Sequence, residues 1–369
     1  MIISTPFPPE EGIGYHVYNI SRNLMQRGHT VTIITRGSLQ SSSIINVDGI
    51  KVIRMPYVPF YPFHVHIHGL ILGKYLNSIK KDFDIVHIHS PLAPVIKTSI
   101  PIINTLHTSL IEDALHIEKN DVRSVCIKLH TKYVSYHLIQ NLIKESVLTT
   151  TVSNNVVEEL KKYYGCKDPI VVGNGVDEEI FCPNRTESDY IFTACRLSYR
   201  KGLFDLIQSA KYIDELGMDI KFLIAGKGEL EGVLKERVQR LGLTDKVLFL
   251  GHVERAKLIE LYQCAKLVVM PSHYESGPLT LLEAMSCGKP VISTSVGIAP
   301  EIIINSENGI LVPIKSPKSI SHAINALLLD DQLREKMGRN ARAAVTQQYA
   351  WSKVTDRLED CYNTALQIC

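Results

Sequence analysis

The sequence predicts an α/β protein built as two Rossmann-like domains in tandem, their parallel sheets facing each other across a cleft. Three observations carry that prediction. Short β-branched runs alternate with amphipathic stretches along the whole chain, the pattern of parallel sheets joined by helices. The alternation restarts near the middle. The chain has 369 residues, 45% of them hydrophobic, a length that favours two cores over one.

In the first half the strand-like runs are residues 1–4, 30–35, 51–54, 84–88, 102–106 and 147–151. Helical periodicity fills 15–27, 67–80 and 122–145, and a further helix spans 155–164. The second half repeats the scheme with strands at 190–195, 221–225, 246–250, 267–270, 290–294 and 309–312 and a helix at 203–213. The domains are therefore expected at 1–168 and 169–350. Residues 349–366 are amphipathic around Trp351, Val354, Leu358 and Tyr362, and the terminal stretch 351–369 is expected to cross back onto the first domain. Ligands of open α/β folds bind at the carboxyl ends of the strands, so the site is sought in the loops that follow them.

Composition narrows the function by exclusion. The net charge is only +2, so no nucleic-acid partner is expected. Residues 1–168 carry 17 Lys/Arg against 13 Asp/Glu and 11 of the 14 histidines. That mild bias suits an acidic or membrane-surface acceptor, although a solvated surface explains it more simply. The eight cysteines show no C-x-x-C and no zinc spacing, which reads as thiols in a reducing compartment. With neither a long apolar run nor a leader-like start, the protein is expected to be cytoplasmic, with peripheral contact at the inner membrane face left open.

Glu275 and Glu283 stand eight apart in SHYESGPLTLLEAMSCGKPVIST. Alone, such a pair is ordinarily two solvated surface charges. Here Gly277-Pro278 suits a helix start with proline at its first position, and Gly288 and Pro290 end the helix. The N–H groups of Leu279 and Thr280 would then form an anion site. Eight helical residues rise roughly 12 Å, too far for a glycosidase pair at about 5–9.5 Å, so the two acids are read as gripping the ends of one ligand.

Arg196 and Lys201 follow the apolar run YIFTAC and precede a helix, where a guanidinium fork and an ammonium suit a diphosphate. Gly12, Gly14, Gly226 and Gly228 occupy strand ends and permit close backbone approach, though turn glycine is the default explanation. No G-x-G-x-x-G or G-x-x-x-x-G-K-[ST] is present, which disfavours a nicotinamide dehydrogenase or a Walker NTPase. His107 in NTLHTS sits at a strand terminus. His64, His66 and His68, and His87 and His89, alternate, but neither group has a carboxylate or Cys partner nearby, and no metal site is expected.

Taken in order, PPEEGIGYHVYNISRNLMQRGHTVTIIT, DIVHIHSPLAP, TLHTS, VSNNVVEEL, VGNGVDEEIF, CRLSYRKGL, LIAGKGEL, VLFLGHV, the E-x7-E segment and NGILVP resemble the retaining glycosyltransferases of family 4, which have the GT-B fold. The likeness runs nearly end to end. It implies a nucleotide-sugar donor, with Gly12 approaching the donor phosphates and Arg196 and Lys201 neutralising the diphosphate. It further implies His107 and Glu275 at the transferred sugar, Glu283 on the ribose, and the backbone near His252 and Val253 at the base. Two residues depart from the family pattern. Glu11 replaces the first of a usual glycine pair, and Pro278 removes an N–H often offered to the diphosphate, leaving that grip to Leu279 and Thr280.

The function so implied is transfer of a hexosyl group from a nucleoside diphosphate sugar to a hydroxyl of a glycan or lipid-linked acceptor, with retention and no required metal or cofactor. Acceptor contacts are expected in 56–68 and 112–134. The rival readings are a GT-B phosphorylase, a sugar-nucleotide epimerase, and a non-catalytic protein that only binds a sugar nucleotide.

Overall fold

In the computed structural model the described residues are 1–9, 12–39, 42–60, 63–90, 93–117, 122–184 and 186–368. The chain divides into two compact units, Met1–Asn174 with Trp351–Cys369, and Gly175–Ala350.

Among its described residues the first unit holds strands β1 (Ile2–Ile3), β2 (Thr32–Arg36), β3 (Ser43–Val47), β4 (Ile50–Met55), β5 (Val86–Ser90), β6 (Ile102–Leu106), β7 (Leu148–Thr151) and β8 (Ile170–Val171). They pair in the order β3-β4-β2-β1-β5-β6-β7-β8. Every pairing is parallel except β3 with β4. Strand β3 was not among the expected runs. Asp48 and Gly49, with φ of 50° and 87°, close a two-residue hairpin of the kind that twists with its strands. The Gly49 N–H donates to Asn46 Oδ1 at 2.9 Å. Strand β8 pairs with β7, which carries the first unit past the expected boundary at 168 to Asn174.

The terminal helix Trp351–Ile368 buries Trp351, Val354, Leu358, Cys361 and Ala365, the helical stripe that its periodicity predicts. It packs in the first unit against the helix Gly12–Gln26. Arg27 pairs with Glu359 and, at 2.7 Å, with Asp356, and the Arg357 Nε–H donates to the Val172 carbonyl at 2.9 Å.

The second unit contains β9 (Tyr190–Ala194), β10 (Lys221–Ala225), β11 (Val247–Gly251), β12 (Leu267–Met270), β13 (Val291–Thr294) and β14 (Ile310–Val312), ordered β11-β10-β9-β12-β13-β14 and parallel throughout. Buried on both faces, strands such as β12 read as unbroken apolar runs. Apolar clusters around Phe222, Leu206 and Ile324 and around Phe192, Tyr262 and Leu282 form the core.

Candidate functional site

In the second unit the strand order reverses between β9 and β12, so the crevice beyond their carboxyl ends is the topological switch point of the sheet, where ligands of open α/β folds bind. Arg196 and Lys201 follow β9, and Glu275 follows β12. The Lys201 ammonium donates directly to Glu275 Oε1, and the Ser272 hydroxyl donates to the same oxygen at 2.8 Å. Glu275 is almost fully buried. A carboxylate so desolvated requires partners, and the ion pair and hydroxyl supply them. Arg196 is exposed and, among the described residues, pairs with no carboxylate.

Local backbone geometry holds these groups in place. Gly202, in the left-handed region at φ +64°, lies so close to β12 that an added Cβ would stand 1.8 Å from the Pro271 carbonyl oxygen. That contact, with the His273 N–H donating to Arg200 O at 2.7 Å, fastens the Lys201 turn to the segment that carries Glu275. Gly226 and Gly228 serve a related purpose. Added Cβ atoms would stand 1.9 Å from Cys195 O and 2.2 Å from Leu197 O. They therefore permit packing against the Arg196 loop, the ordinary role of a turn glycine.

The helix Leu279–Ser286 begins after Pro278, which is its N-cap at ψ 119°. The expected placement of Pro278 at the first helical position is thus corrected by one residue, its ψ being extended. The 12 Å separation inferred from helical rise also lapses, because Glu275 lies in the loop before the helix. The N–H groups of Leu279 and Thr280 fall in the first turn, where a helix has no internal acceptor for them. Within this helix Glu283 is half-buried, and desolvation raises its carboxyl pKa to about 7, opposed by the nearby Arg255 guanidinium and the Tyr262 hydroxyl. Val253, past the end of β11, packs on the core beside these residues.

The first unit furnishes its carboxyl ends differently. His107 directly follows β6 and is buried with His89 of β5 and His16 of the helix Gly12–Gln26. His89 Nδ1 and His107 Nε2 are 3.2 Å apart, and the His16 ring stands edge-on to His107 at 4.6 Å. The His16 Nδ1–H donates to Asn174 Oδ1 at 2.8 Å, which leaves His16 Nε2 as a bare lone pair. That atom and His89 Nε2 are buried and unpartnered among the described residues. Burial lowers the pKa of His16 to about 4 and pushes His89 and His107 well below the ordinary histidine value. The three imidazoles are therefore neutral at physiological pH. Their ligand atoms lie within 4.8 Å of one another, so this is where a metal would find neutral nitrogen donors among the described residues.

His87, by contrast, is satisfied by the Tyr362 hydroxyl and Thr105 Oγ1, each at 2.7 Å. His16 was not singled out from the sequence, although it stands four residues after Gly12 in GIGYH, one helical turn along the same face. Gly12 itself is the exposed first residue of that helix. Glu11 lies outside the described residues, as do 61–62 and 118–121 within the expected acceptor stretches. Among the described residues, no helix is long and apolar enough to cross a membrane.

Two family models match the chain. One, described as Glycosyltransferase Family 4, covers residues 11–180, and the other, Glycosyl transferases group 1, covers 177–344. An uncharacterized glycosyltransferase of Methanocaldococcus jannaschii is 27% identical over 395 residues, covering 100% of this chain and 98% of that protein. Among solved structures, sucrose-phosphate synthase from Thermosynechococcus elongatus superposes with a TM-score of 0.83 at 19% identity, covering 97% of this chain and 94% of the other. Anabaena HepE, solved in complex with UDP-glucose, gives a TM-score of 0.74 at 17% identity, with 98% of each chain covered.

Proposed function

The chain belongs to the group 1 glycosyltransferases of family 4, with the GT-B fold of two Rossmann-like units, and from that premise we propose that it moves a hexosyl group from a nucleoside diphosphate sugar to an acceptor hydroxyl with retention at the anomeric carbon. The observation that carries this reading is the switch point of the second sheet, where Lys201 and Glu275 pair and where Arg196, among the described residues, has no carboxylate partner. A HepE structure holding UDP-glucose on the same fold supports a nucleotide-sugar donor.

In this mechanism the diphosphate gains negative charge as the glycosidic bond breaks. Arg196, Lys201 and the N–H groups of Leu279 and Thr280 stabilise it there, because fixed donors aimed at developing charge lower the barrier without reorganising. Glu275 fixes the Lys201 ammonium and accepts from sugar hydroxyls, Glu283 accepts from the ribose, and Val253 borders the base. His107 contacts the transferred sugar as a neutral imidazole, and Gly12 lets backbone approach the donor phosphates. No residue among these is placed as a protein nucleophile, which favours attack on the face the diphosphate leaves, with a departing phosphate oxygen taking the acceptor proton.

Two fixed cations take the place of a divalent metal in this reading. The test is a panel of UDP-, GDP- and ADP-sugars scored by calorimetry, then transfer with the bound donor in excess EDTA, with proton NMR of the fresh product. We expect one nucleotide class to bind, transfer to survive chelation, and the anomeric configuration to be kept. An inverted linkage overturns retention, and loss of transfer in EDTA overturns the metal-free mechanism and turns attention to His16, His89 and His107.

A further inference from the structure

We propose that a cavity in the first unit, separate from the histidine cluster, takes the hydrocarbon chain of an anionic amphiphile, which makes the acceptor a lipid-like molecule. The inference rests on the glycosyl-transfer reading for the word acceptor but not for the binding itself. The cavity has a volume of about 600 Å³ and is lined by Ile111, Ala114, Leu115, Thr131, Tyr136 and Tyr163, with Lys128, Lys132 and Lys162 also on its wall. Its size falls within the range of small-molecule pockets, and the aliphatic stems of the lysines add to the apolar wall while their heads reach water.

Two further observations select the occupant. Apolar surface continues outside the cavity: Leu115 is 64% exposed, and Val125, Leu129 and Tyr133, four residues apart along one helical stretch, are 45%, 51% and 60% exposed. A contiguous exposed apolar stripe of this kind marks an interaction surface. Its charge is predominantly positive, with Glu112 held by Tyr163 and Lys162. Among the described residues Lys128 and Lys132 pair with no carboxylate, whereas Lys162 lies 3.7 Å from Glu112, so two of the three cations remain for an external anion. An apolar chain beneath an anionic head complements both features at once.

The backbone adapts to the same place. Thr131–Ser135 forms a π turn between the helices Val122–His130 and Tyr136–Glu145, which widens the helix where Thr131 and Lys132 meet the cavity; such insertions recur at functional sites. The opposite wall, the helix Leu110–Leu115, starts three residues after His107. A chain held in the cavity thus lies against a helix that begins just after the carboxyl end of β6.

The test is calorimetry of the full chain with octyl, decyl and dodecyl phosphate below their micelle concentrations, without any donor. Each methylene entering the cavity is expected to raise affinity about fourfold. Leu115→Ser, at an exposed position that leaves the fold intact, is expected to weaken dodecyl phosphate at least about tenfold. The double change Lys128→Glu/Lys132→Glu is expected to weaken all three phosphates about equally, keeping the chain-length increments. Affinity independent of chain length overturns the proposal. So does a result in which Leu115→Ser and Leu129→Ser alter only the oligomeric state, since the stripe is then a contact between copies. Nucleotide-sugar binding, measured separately on the same variants, is expected to be unchanged, so failure of the donor reading and failure of the cavity are told apart.

Discussion

In the first unit the carboxyl ends of β5 and β6 carry His89 and His107, joined by His16, all buried and all neutral; in the second, the ends of β9 and β12 carry Arg196, Lys201 and Glu275, charged and in part open to water. In the second sheet these residues follow the two strands between which the order reverses, β9 and β12, whereas in the first the order reverses between β1 and β5, beside β6. The difference follows from solvation. A charge can be desolvated only beside a partner, so Lys201 and Glu275 come as a pair, with Ser272 completing the carboxylate. A neutral imidazole carries a much smaller desolvation cost, so three can be packed together with ring nitrogens left bare. One unit presents charged groups at its strand ends, and the other uncharged donors and acceptors.

The largest effect is expected from Lys201→Ala, which removes the cation at the second switch point. Loss of one preorganised donor to developing charge costs about 10²–10³ in turnover. The fold should persist at a lower melting temperature, because Gly202 against Pro271 still holds the turn while the buried Glu275 loses its cation. Single-turnover transfer rates and a thermal melt measured together decide it. Near-normal transfer by a folded variant would sink the phosphate role and erase the contrast between the units.

The second expectation concerns the imidazoles. His16 has its pKa lowered from 6.5 to about 4, so between those values the unfolded chain binds more protons than the native one. Stability contributed by the neutral ring is then present above pH 6.5 and lost as pH falls through about 4, amounting to about 3 kcal/mol for His16. His89 and His107 shift in the same direction. Trp351, the single tryptophan, lies edge-on to His16 at 5.4 Å, so its fluorescence reports unfolding of this unit. Urea midpoints should fall steadily from pH 7 to 4.5, and less steeply in His16→Gln. A midpoint flat across that range would mean the cluster is not neutral and dry.

How much of this was legible in the sequence differs between the units for the same physical reason. The strand Leu267–Met270 is buried along its whole length, and its unbroken apolar run marks it. The hairpin strand Ser43–Val47 sits at a sheet edge with Ile44 exposed, so its run is weaker, and only the Asp48-Gly49 turn announced it. At the site, Arg196, Lys201, Glu275 and Glu283 were visible because charged residues after apolar runs are conspicuous. His16 was not, since a lone histidine in an amphipathic helix reads as core until the fold brings His89 and His107 to it. The pairing of Lys201 with Glu275, 74 positions apart, depends on β9 and β12 being neighbours, which no local pattern encodes.

The smallest expected effect sharpens the contrast from within the charged unit, because desolvation raises the pKa of the Glu283 carboxyl there to about 7. Its pKa is raised on folding, so its contribution to stability is full below 4.5 and is lost as pH rises through 7. The native state carries that cost at alkaline pH unless hydroxyl donors solvate the carboxylate, as a ribose does. Affinity for a nucleotide sugar, whose diphosphate does not titrate in this range, should therefore rise as pH increases through 7, by about tenfold for a charge-assisted hydrogen bond. In Glu283→Gln the rise should vanish, while hydrogen-exchange protection of the second unit at pH 8 should increase because no buried charge forms. Calorimetry across pH 6 to 8 on both proteins separates the two consequences. A variant that keeps the pH-dependent rise would remove Glu283 from the ribose and leave its raised pKa as a consequence of burial alone.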